Sequence, residues 1–290
     1  MRFLILGCNG MAGHTVSLYL KQQGYEVIGF ARKESPFINT VVGDATDTGF
    51  LKKTVNEGAF NAIVNCVGLL NRQAEEKKDQ AVFLNAYLPH FLETITTGTD
   101  TQVIHMSTDC VFSGKRGNYS EDDFRDGETF YDRSKALGEL ENDKDFTIRT
   151  SIIGPDLNPK GIGLLNWFMQ QTESVNGFTN VKWSGITTLQ LAKCIEEVAE
   201  KKLSGLCNVA PKESINKCAL LGLCNDYLRA DKLTINTKET PVLDKSLVSK
   251  RNLISVPDYN AMIEELATWI KSLIHLYPHY HIRKDYREKQ

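Results

Sequence analysis

Within its first thirty residues the chain reads as an apolar run, a glycine turn, an amphipathic stretch and a second apolar run: RFLIL, GCNGMAG, HTVSLYLKQQG and EVIGF. This order limits the fold more than any other feature. The spacing predicts a strand at Arg2–Leu6 and a turn carrying Gly7, Gly10 and Gly13. A helix follows, with Met11, Ala12, Val16, Tyr19 and Leu20 on its apolar face and a stop near Gly24. A second strand is expected at Glu26–Phe30. Strand, helix and strand within about 30 residues are the size of one βαβ unit, which pairs its strands in parallel through a right-handed crossover.

The same segment has a competing reading. One basic residue, a short apolar run and Leu6-Gly7-Cys8 resemble a lipoprotein export signal with Cys8 acylated. Such signals need roughly 7–15 apolar residues. Only Phe3 to Leu6 precede the glycine, and a helical face follows Cys8 in place of a polar linker. The βαβ unit is therefore the expectation.

Alternation continues downstream. Further strands are expected at Thr40–Val42, Ala62–Cys66, Gln102–Ser107 and Phe146–Thr150, with helices including Gln80–Thr97 and Tyr131–Glu141. The strands are continuously apolar, as a sheet buried on both faces requires. The fold class expected is α/β, a doubly wound parallel (Rossmann) sheet with a smaller, mainly helical C-terminal lobe. Residues 1–155 would form the nucleotide-binding domain. Residues 186–210 would return to it through a helix at Leu189–Lys202 and a strand at Leu206–Val209. Residues 156–185 and 211–290 would form the substrate lobe, with helices near Ile215–Leu228 and Asp258–Leu276, the latter opened by Pro257.

Bulk properties exclude several classes. With 34 basic and 36 acidic residues the net charge is −2, so no nucleic-acid footprint shows. No apolar stretch approaches the roughly 20 residues that span a bilayer, so no membrane role is expected. Seven cysteines, none in a CxxC pair, read as reduced core thiols. A cytoplasmic enzyme is the class expected. His275, His279 and His281 crowd the C-terminal stretch without partners for a metal, so a mobile tail and no metal site are expected, and His14 reads as structural.

The glycines carry the first functional reading. After a strand, such a turn brings the backbone to a pyrophosphate while the helix N-terminus supplies free N–H groups and positive dipole. Gly7 would make the turn, Gly10 admit the phosphate and Gly13 pack helix on strand; a turn without ligand is the bland alternative. NAD enzymes place an acid near the end of the second strand for the ribose hydroxyl. Here Ala31 stands at that point, followed by Arg32 and Lys33, which suit a 2′-phosphate. Glu34 competes from further into the loop. NADP (as NADPH) is favoured over NAD, although both cations could simply solvate a loop.

The second reading lies in HMSTDCVFSG and YDRSK. Tyr131 and Lys135 are four apart and share a helix face. An ammonium near a phenol would lower its pKa, making Tyr131 a proton donor to a carbonyl oxygen. Thr108 or Ser107 would hold the same oxygen.

These motifs carry a resemblance. Gly7, Gly10 and Gly13, Asp44 in VVGDATD, NCVG from Asn65 to Gly68, Asn85, STDCVFSG, YDRSK and RTSIIGP resemble the extended short-chain dehydrogenase/reductases. Within them the chain is similar to the dTDP-4-dehydrorhamnose reductase-like group. The resemblance implies a cofactor groove formed by Gly7, Gly10, Met11, Gly13, Arg32, Lys33, Asp44, Ala45, Cys66, Val67, Gly68, Asn85 and Ser107 together with Tyr131 and Lys135. Asp44 would contact the adenine and Lys135 the nicotinamide ribose. Thr108, Tyr131 and Lys135 would be the catalytic set. The implied reaction is hydride transfer from NAD(P)H to the 4-keto carbon of a nucleotide-activated deoxysugar, in the making of cell-surface polysaccharide.

The chain departs from the group where Cys110 replaces a usual tyrosine and Ile152 a usual tryptophan. The chemistry is left intact and the identity of the sugar, dTDP-4-dehydrorhamnose or another, stays open; Asp109, Cys110, Ile152 and Trp183 become candidate substrate contacts. Two alternatives stay open: a nucleotide-sugar epimerase or dehydratase of the same superfamily, and a non-catalytic NADP-binding regulatory subunit. Asp109-Cys110, where dehydratases usually carry Asp-Glu, argues against the first of these. A homodimer is compatible with the resemblance.

Overall fold

A computed structural model describes residues 1–282. Its centre is a seven-stranded parallel sheet. β1 (Arg2–Leu6), β2 (Glu26–Ala31), β3 (Asn39–Val42), β4 (Ala62–Asn65), β5 (Gln102–Ser107) and β6 (Phe146–Arg149) are joined by the strand Gly205–Asn208. From one edge the order is Gly205–Asn208, β6, β5, β4, β1, β2, β3. The order reverses between β1 and β4, where Leu6 pairs with Asn65 on one side and Phe30 on the other. A doubly wound sheet opens its ligand crevice at that reversal, outside the carboxyl ends of the strands. The doubly wound parallel sheet expected from the sequence is the fold observed.

Two apolar layers hold the sheet. Phe3, Ile5, Val64, Ile104, Phe146 and Ile148 point to one face, and Leu4, Leu6, Ile63 and Val103 to the other. The division follows the two-residue period of a strand, and both sets are buried because helices cover both faces. On the first face α1 (Met11–Gln22) packs against the helix Thr188–Lys201, where Thr188 Oγ1 donates to Thr15 Oγ1 at 3.2 Å. α1 stops as expected at Gly24, whose φ of +85° is left-handed and whose N–H caps Lys21 O.

Three details differ from expectation. The helix expected at 80–97 is broken by a wider turn at Val82–Tyr87 between Lys78–Ala81 and Leu88–Ile95. Pro257 lies outside its helix: Asp258 is the N-cap, its carboxylate accepting from Ala261 N–H at 2.9 Å, and the helix runs Tyr259–Ser272. The stretch holding the three histidines is also docked as far as Ile282. Tyr277 is fully buried and donates to or accepts from His14 Nε2 at 2.9 Å, while His279 Nε2 meets Asn166 Oδ1 at 3.2 Å. Aromatic rings, which the reading for charge and metal ligands passed over, drive this docking: Tyr277 and Tyr280 stack at 5.7 Å. Residues 283–290 lie outside the described residues.

The later part of the chain adds the helices Leu164–Met169, Lys217–Tyr227 and Tyr259–Ser272, with a three-stranded sheet and small strand pairs that the sequence does not announce. One pair, Ile152–Ile153 with Ile186–Thr187, runs parallel just after β6 and just before the helix Thr188–Lys201. Among the described residues no helix is long and apolar enough to cross a membrane.

Candidate active site

Most candidate residues of the first half lie just past the carboxyl ends of strands, and Met11, Asn85, Tyr131 and Lys135 come from helices. Gly7 follows β1 with φ +77°, donating its N–H to Phe30 O and accepting from Gly10 N–H, both at 2.9 Å. Gly13 is a packing glycine, since a Cβ there would fall 2.2 Å from Gly7 O. Gly10 differs from both. Its φ is −81°, it is exposed, and an added Cβ would meet only Gly7 O, at 3.3 Å. It is also the N-cap of α1, with no side-chain cap and no acid in the first turn. The first N–H groups of a twelve-residue helix are thus left open beside a surface without a side chain, which fits a dinucleotide's pyrophosphate. Met11 continues the turn, and its Sδ lies 2.8 Å from where Gly163 of the second lobe would carry a Cβ.

Beyond β2 the side chains of Arg32, Lys33 and Glu34 are exposed, and Asn9 Nδ2 ties this loop to the glycine turn through Lys33 O at 2.9 Å. Asp44, after β3, accepts from Thr46 N–H at 2.9 Å and Thr46 Oγ1 at 2.8 Å. Those bonds, with the charge of Arg32, hold its carboxyl below the ordinary range. Ala45 is buried beside it.

Cys66, Val67 and Gly68 leave β4 opposite the glycine turn: Gly7 lies against Val67 Cγ2 and the Cys66 backbone. Asn85 does not reach outward from the broken helix. Its Oδ1 accepts from Leu69 N–H at 2.8 Å, and its Nδ2 donates to Leu69 O at 2.9 Å and Ser134 Oγ at 3.0 Å. The amide clamps the loop after β4 to the helix Phe130–Leu137. Gly138 allows that approach, because a Cβ there would sit 1.9 Å from Asn85 O.

Ser107, Thr108, Asp109 and Cys110 leave β5 and are all largely buried, and Tyr131 meets them from the opposing helix. That helix begins with a capping box in which Thr129 and Asp132 satisfy each other's backbone N–H groups. Burial and the neighbouring Cys110 push the Tyr131 phenol above its ordinary range, eased by a hydrogen bond with Thr108. The phenol is therefore neutral and holds a proton. The expectation that Lys135 lowers it needs correction. Lys135 Nζ turns into the sheet, donating to Met106 O at 2.6 Å and lying 3.3 Å from His105 Nε2. Burial lowers the ammonium to about 8.

Asp109 is raised by burial, opposed by Lys217 and Lys245, and the Cys110 thiol is pushed up to about 12 by burial. No local sequence pattern singles out these two lysines, because they approach from more than a hundred residues further along the chain. Lys217 Nζ lies 5.3 Å from the centre of the Trp183 ring. Trp183 is buried, donates Nε1–H to Ser151 Oγ at 2.8 Å and leans on Tyr259 at 5.7 Å. Ile152 is half-buried and pairs with Ile186. The structure thus gathers Thr108, Asp109, Cys110 and Tyr131, while Trp183 is shared between packing and the cation above it.

The family described as RmlD substrate binding domain matches residues 1–210. The chain belongs to this family. Among relatives of this RmlD-family chain is the spore coat polysaccharide biosynthesis protein SpsK of Bacillus subtilis, 32% identical over 143 residues, 48% of this chain and 47% of that one. The probable low-salt glycan biosynthesis reductase Agl14 of Haloferax volcanii is 30% identical over 143 residues, 48% of each chain. dTDP-4-dehydrorhamnose reductase of Mycolicibacterium smegmatis is 27% identical over 141 residues, 48% of this chain and 40% of that one. The matches thus span about half the length of the relatives, or less.

Solved structures cover more. A hypothetical dTDP-4-dehydrorhamnose reductase of Sulfolobus tokodaii superposes with a TM-score of 0.75 at 25% identity, over 90% of this chain and 99% of that one. The Bacillus anthracis dTDP-4-dehydrorhamnose reductase, in complex with NADP, gives 0.78 at 21% identity, over 92% and 99%, a likeness of fold. The resemblance to the extended short-chain dehydrogenase/reductases and their dTDP-4-dehydrorhamnose reductase-like group holds.

Proposed function

We propose that this chain reduces the 4-keto group of a nucleotide-activated deoxysugar, with NADPH as the preferred reductant. One observation carries the reading: a buried, neutral phenol, Tyr131, beside Thr108 and Cys110 at the sheet edge that also bears the open glycine turn. The family and its named reductases support the reaction class.

The chain's own residues divide the work. The uncapped start of α1 and the bare face of Gly10 would hold the pyrophosphate, and Asp44 the adenosine side. Arg32 and Lys33 would meet a 2′-phosphate, which is why NADPH is preferred. NADPH, when bound, supplies the hydride. Tyr131 gives its proton to the carbonyl oxygen as that oxygen gains charge, and Thr108 donates a hydrogen bond to the same atom. The phenolate left behind recovers a proton from solvent, so one hydride and one proton complete the alcohol. Lys135, one helical turn from Tyr131, would hold the nicotinamide ribose. Asp109 and Lys217, with the Trp183 wall, would line the sugar. Cys110 and Ile152 stand where the group commonly carries two aromatic rings, so the panel of sugars includes dTDP-4-dehydrorhamnose and others.

A panel of nucleotide 4-ketosugars offered with NADPH tests the proposal. Consumption of one equivalent of NADPH with a 4-hydroxy product is expected for at least one member. Isomerised or dehydrated products without net NADPH consumption would replace the reading by an epimerase or dehydratase.

A further inference from the structure

Asn65, His105 and Lys135 form a fully buried chain behind the catalytic edge, and its hydrogen bonds have only one consistent direction. Asn65 Oδ1 accepts from the Val67 N–H at 3.1 Å, which fixes the amide so that Nδ2 faces His105 Nδ1 at 3.2 Å. Nδ2 is a donor, so Nδ1 must accept. A neutral imidazole then carries its proton on Nε2. That N–H points at Lys135 Nζ, 3.3 Å away, whose other partner is the Met106 carbonyl at 2.6 Å. An ammonium and an imidazole N–H are both donors and cannot bond to each other. A neutral amine resolves the conflict by accepting from Nε2–H while donating to Met106 O.

We infer that His105 is a positioning residue whose tautomer, set by Asn65, makes it a donor to Lys135 and so holds that lysine in its uncharged form over part of the working pH range. The inference concerns this chain's own proton inventory. It rests on the proposed function only for its consequence, namely that Lys135 reaches the cofactor as a proton acceptor as well as a cation. The groups around the lysine agree on the sign. Burial lowers its ammonium to about 8, opposed by Glu139, beyond the same helix, and by Cys66, at the end of β4. His105 is itself held well below its ordinary value by burial, then by Lys135 and His90, so it does not supply a second proton. Glu139 is already committed to Arg149 and Ser107 and does not hydrogen-bond the lysine.

The test uses the whole chain without cofactor. Long-range proton–nitrogen NMR on the imidazoles should show His105 as the Nε2–H tautomer at neutral pH. The Lys135 Cε resonance, labelled with carbon-13 and assigned by its loss in Lys135→Met, should titrate near 8. In His105→Gln an amide oxygen can replace the donor, and the titration should move up by about one pH unit or more. An Nδ1–H tautomer, or a Lys135 titration unmoved in His105→Gln, would overturn the inference. If that variant does not fold, the tautomer of the parent chain decides alone. None of these readouts involves turnover, so failure of the inference is separable from failure of the proposed reaction.

Discussion

Ser107 Oγ donates to Glu139 Oε1 at 2.5 Å, joining the last residue of β5 to the segment just after the helix of Tyr131. The carboxylate also takes Arg149 from β6 through Nε at 2.7 Å and Nη2 at 2.6 Å, and Arg125 from the loop before the helix. Arg149 and Glu139 are both buried, so each depends on the other for its solvation. Removing one partner leaves a buried charge, which costs about 3–5 kcal/mol. Glu139→Gln should therefore destabilise by roughly that amount in urea unfolding, as should Arg149→Met.

Acid should narrow this difference. Burial alone would raise the Glu139 carboxyl, but Arg149, Arg125 and Ser107 bring it below its usual 4.5. A depressed folded value means stability that is present above the unfolded value and lost as pH falls through the folded one. The gap between the parent and Glu139→Gln should be full at neutral pH and shrink once the pH drops below about 4.5. A gap that widened on acidification would show that the carboxyl is protonated in the fold.

Gly13 and Gly10 should respond differently to an added side chain. At Gly13 the new Cβ would lie 2.2 Å from a backbone oxygen, so Gly13→Ala should lower the melting temperature sharply. At Gly10 the backbone is ordinary and an added Cβ would meet only Gly7 O, at 3.3 Å, so Gly10→Val should fold with a melting temperature lowered far less than that of Gly13→Ala, yet lose dinucleotide binding. Calorimetric titration with NADPH on the folded Gly10 variant checks this. Unchanged affinity would make the turn purely structural.

Arg32 should decide between the two dinucleotides. It is exposed at the exit of β2, and the turn holds no acid nearer the strand than Glu34. A charge-assisted bond to a 2′-phosphate is worth about 1.5–3 kcal/mol, so Arg32→Ala should weaken NADPH by roughly ten- to a hundredfold and leave NADH almost untouched. Equal affinity of the parent for both would remove the assignment.

Local patterns in the sequence carried the sheet and the crevice. Six strand positions follow from continuous apolar runs, and the strand at Gly205–Asn208 from a seventh. The glycine turn and the Tyr131–Thr108 pair follow from motifs whose residues lie on adjoining elements. What stayed hidden depends on distant contacts. Asn85 looks like a ligand residue, but only the fold shows that its amide is consumed by Leu69 and Ser134. Lys135 looks like a partner for Tyr131 because they are four apart, yet its direction is set by the Met106 carbonyl and His105. Lys217 sits at the start of an unremarkable helix and matters only because that helix lies over Trp183. Backbone hydrogen bonding and periodicity are written locally; the direction of a long side chain is not.

The phenol of Tyr131 gives the sharpest test of the chemistry. Burial keeps it protonated, and the Thr108 hydroxyl stands beside it. Tyr131→Phe preserves the ring, its packing beside Ala74 and Ala81, and the capping box of its helix, but removes the proton. General acid catalysis contributes about a hundred- to ten-thousandfold, so kcat for 4-keto reduction should fall by that factor. NADPH affinity should barely move, since the proposed pyrophosphate and 2′-phosphate contacts would lie at the start of α1 and just after β2. Thr108→Val should cost less, because it removes one hydrogen bond to the oxygen and leaves the acid in place. Stopped-flow measurement of NADPH oxidation in single turnover separates the chemical step from product release. A Tyr131→Phe chain that oxidised NADPH at nearly the parent rate would show that the proton comes from elsewhere, with Asp109, raised by its burial, the next acid in reach of the same edge.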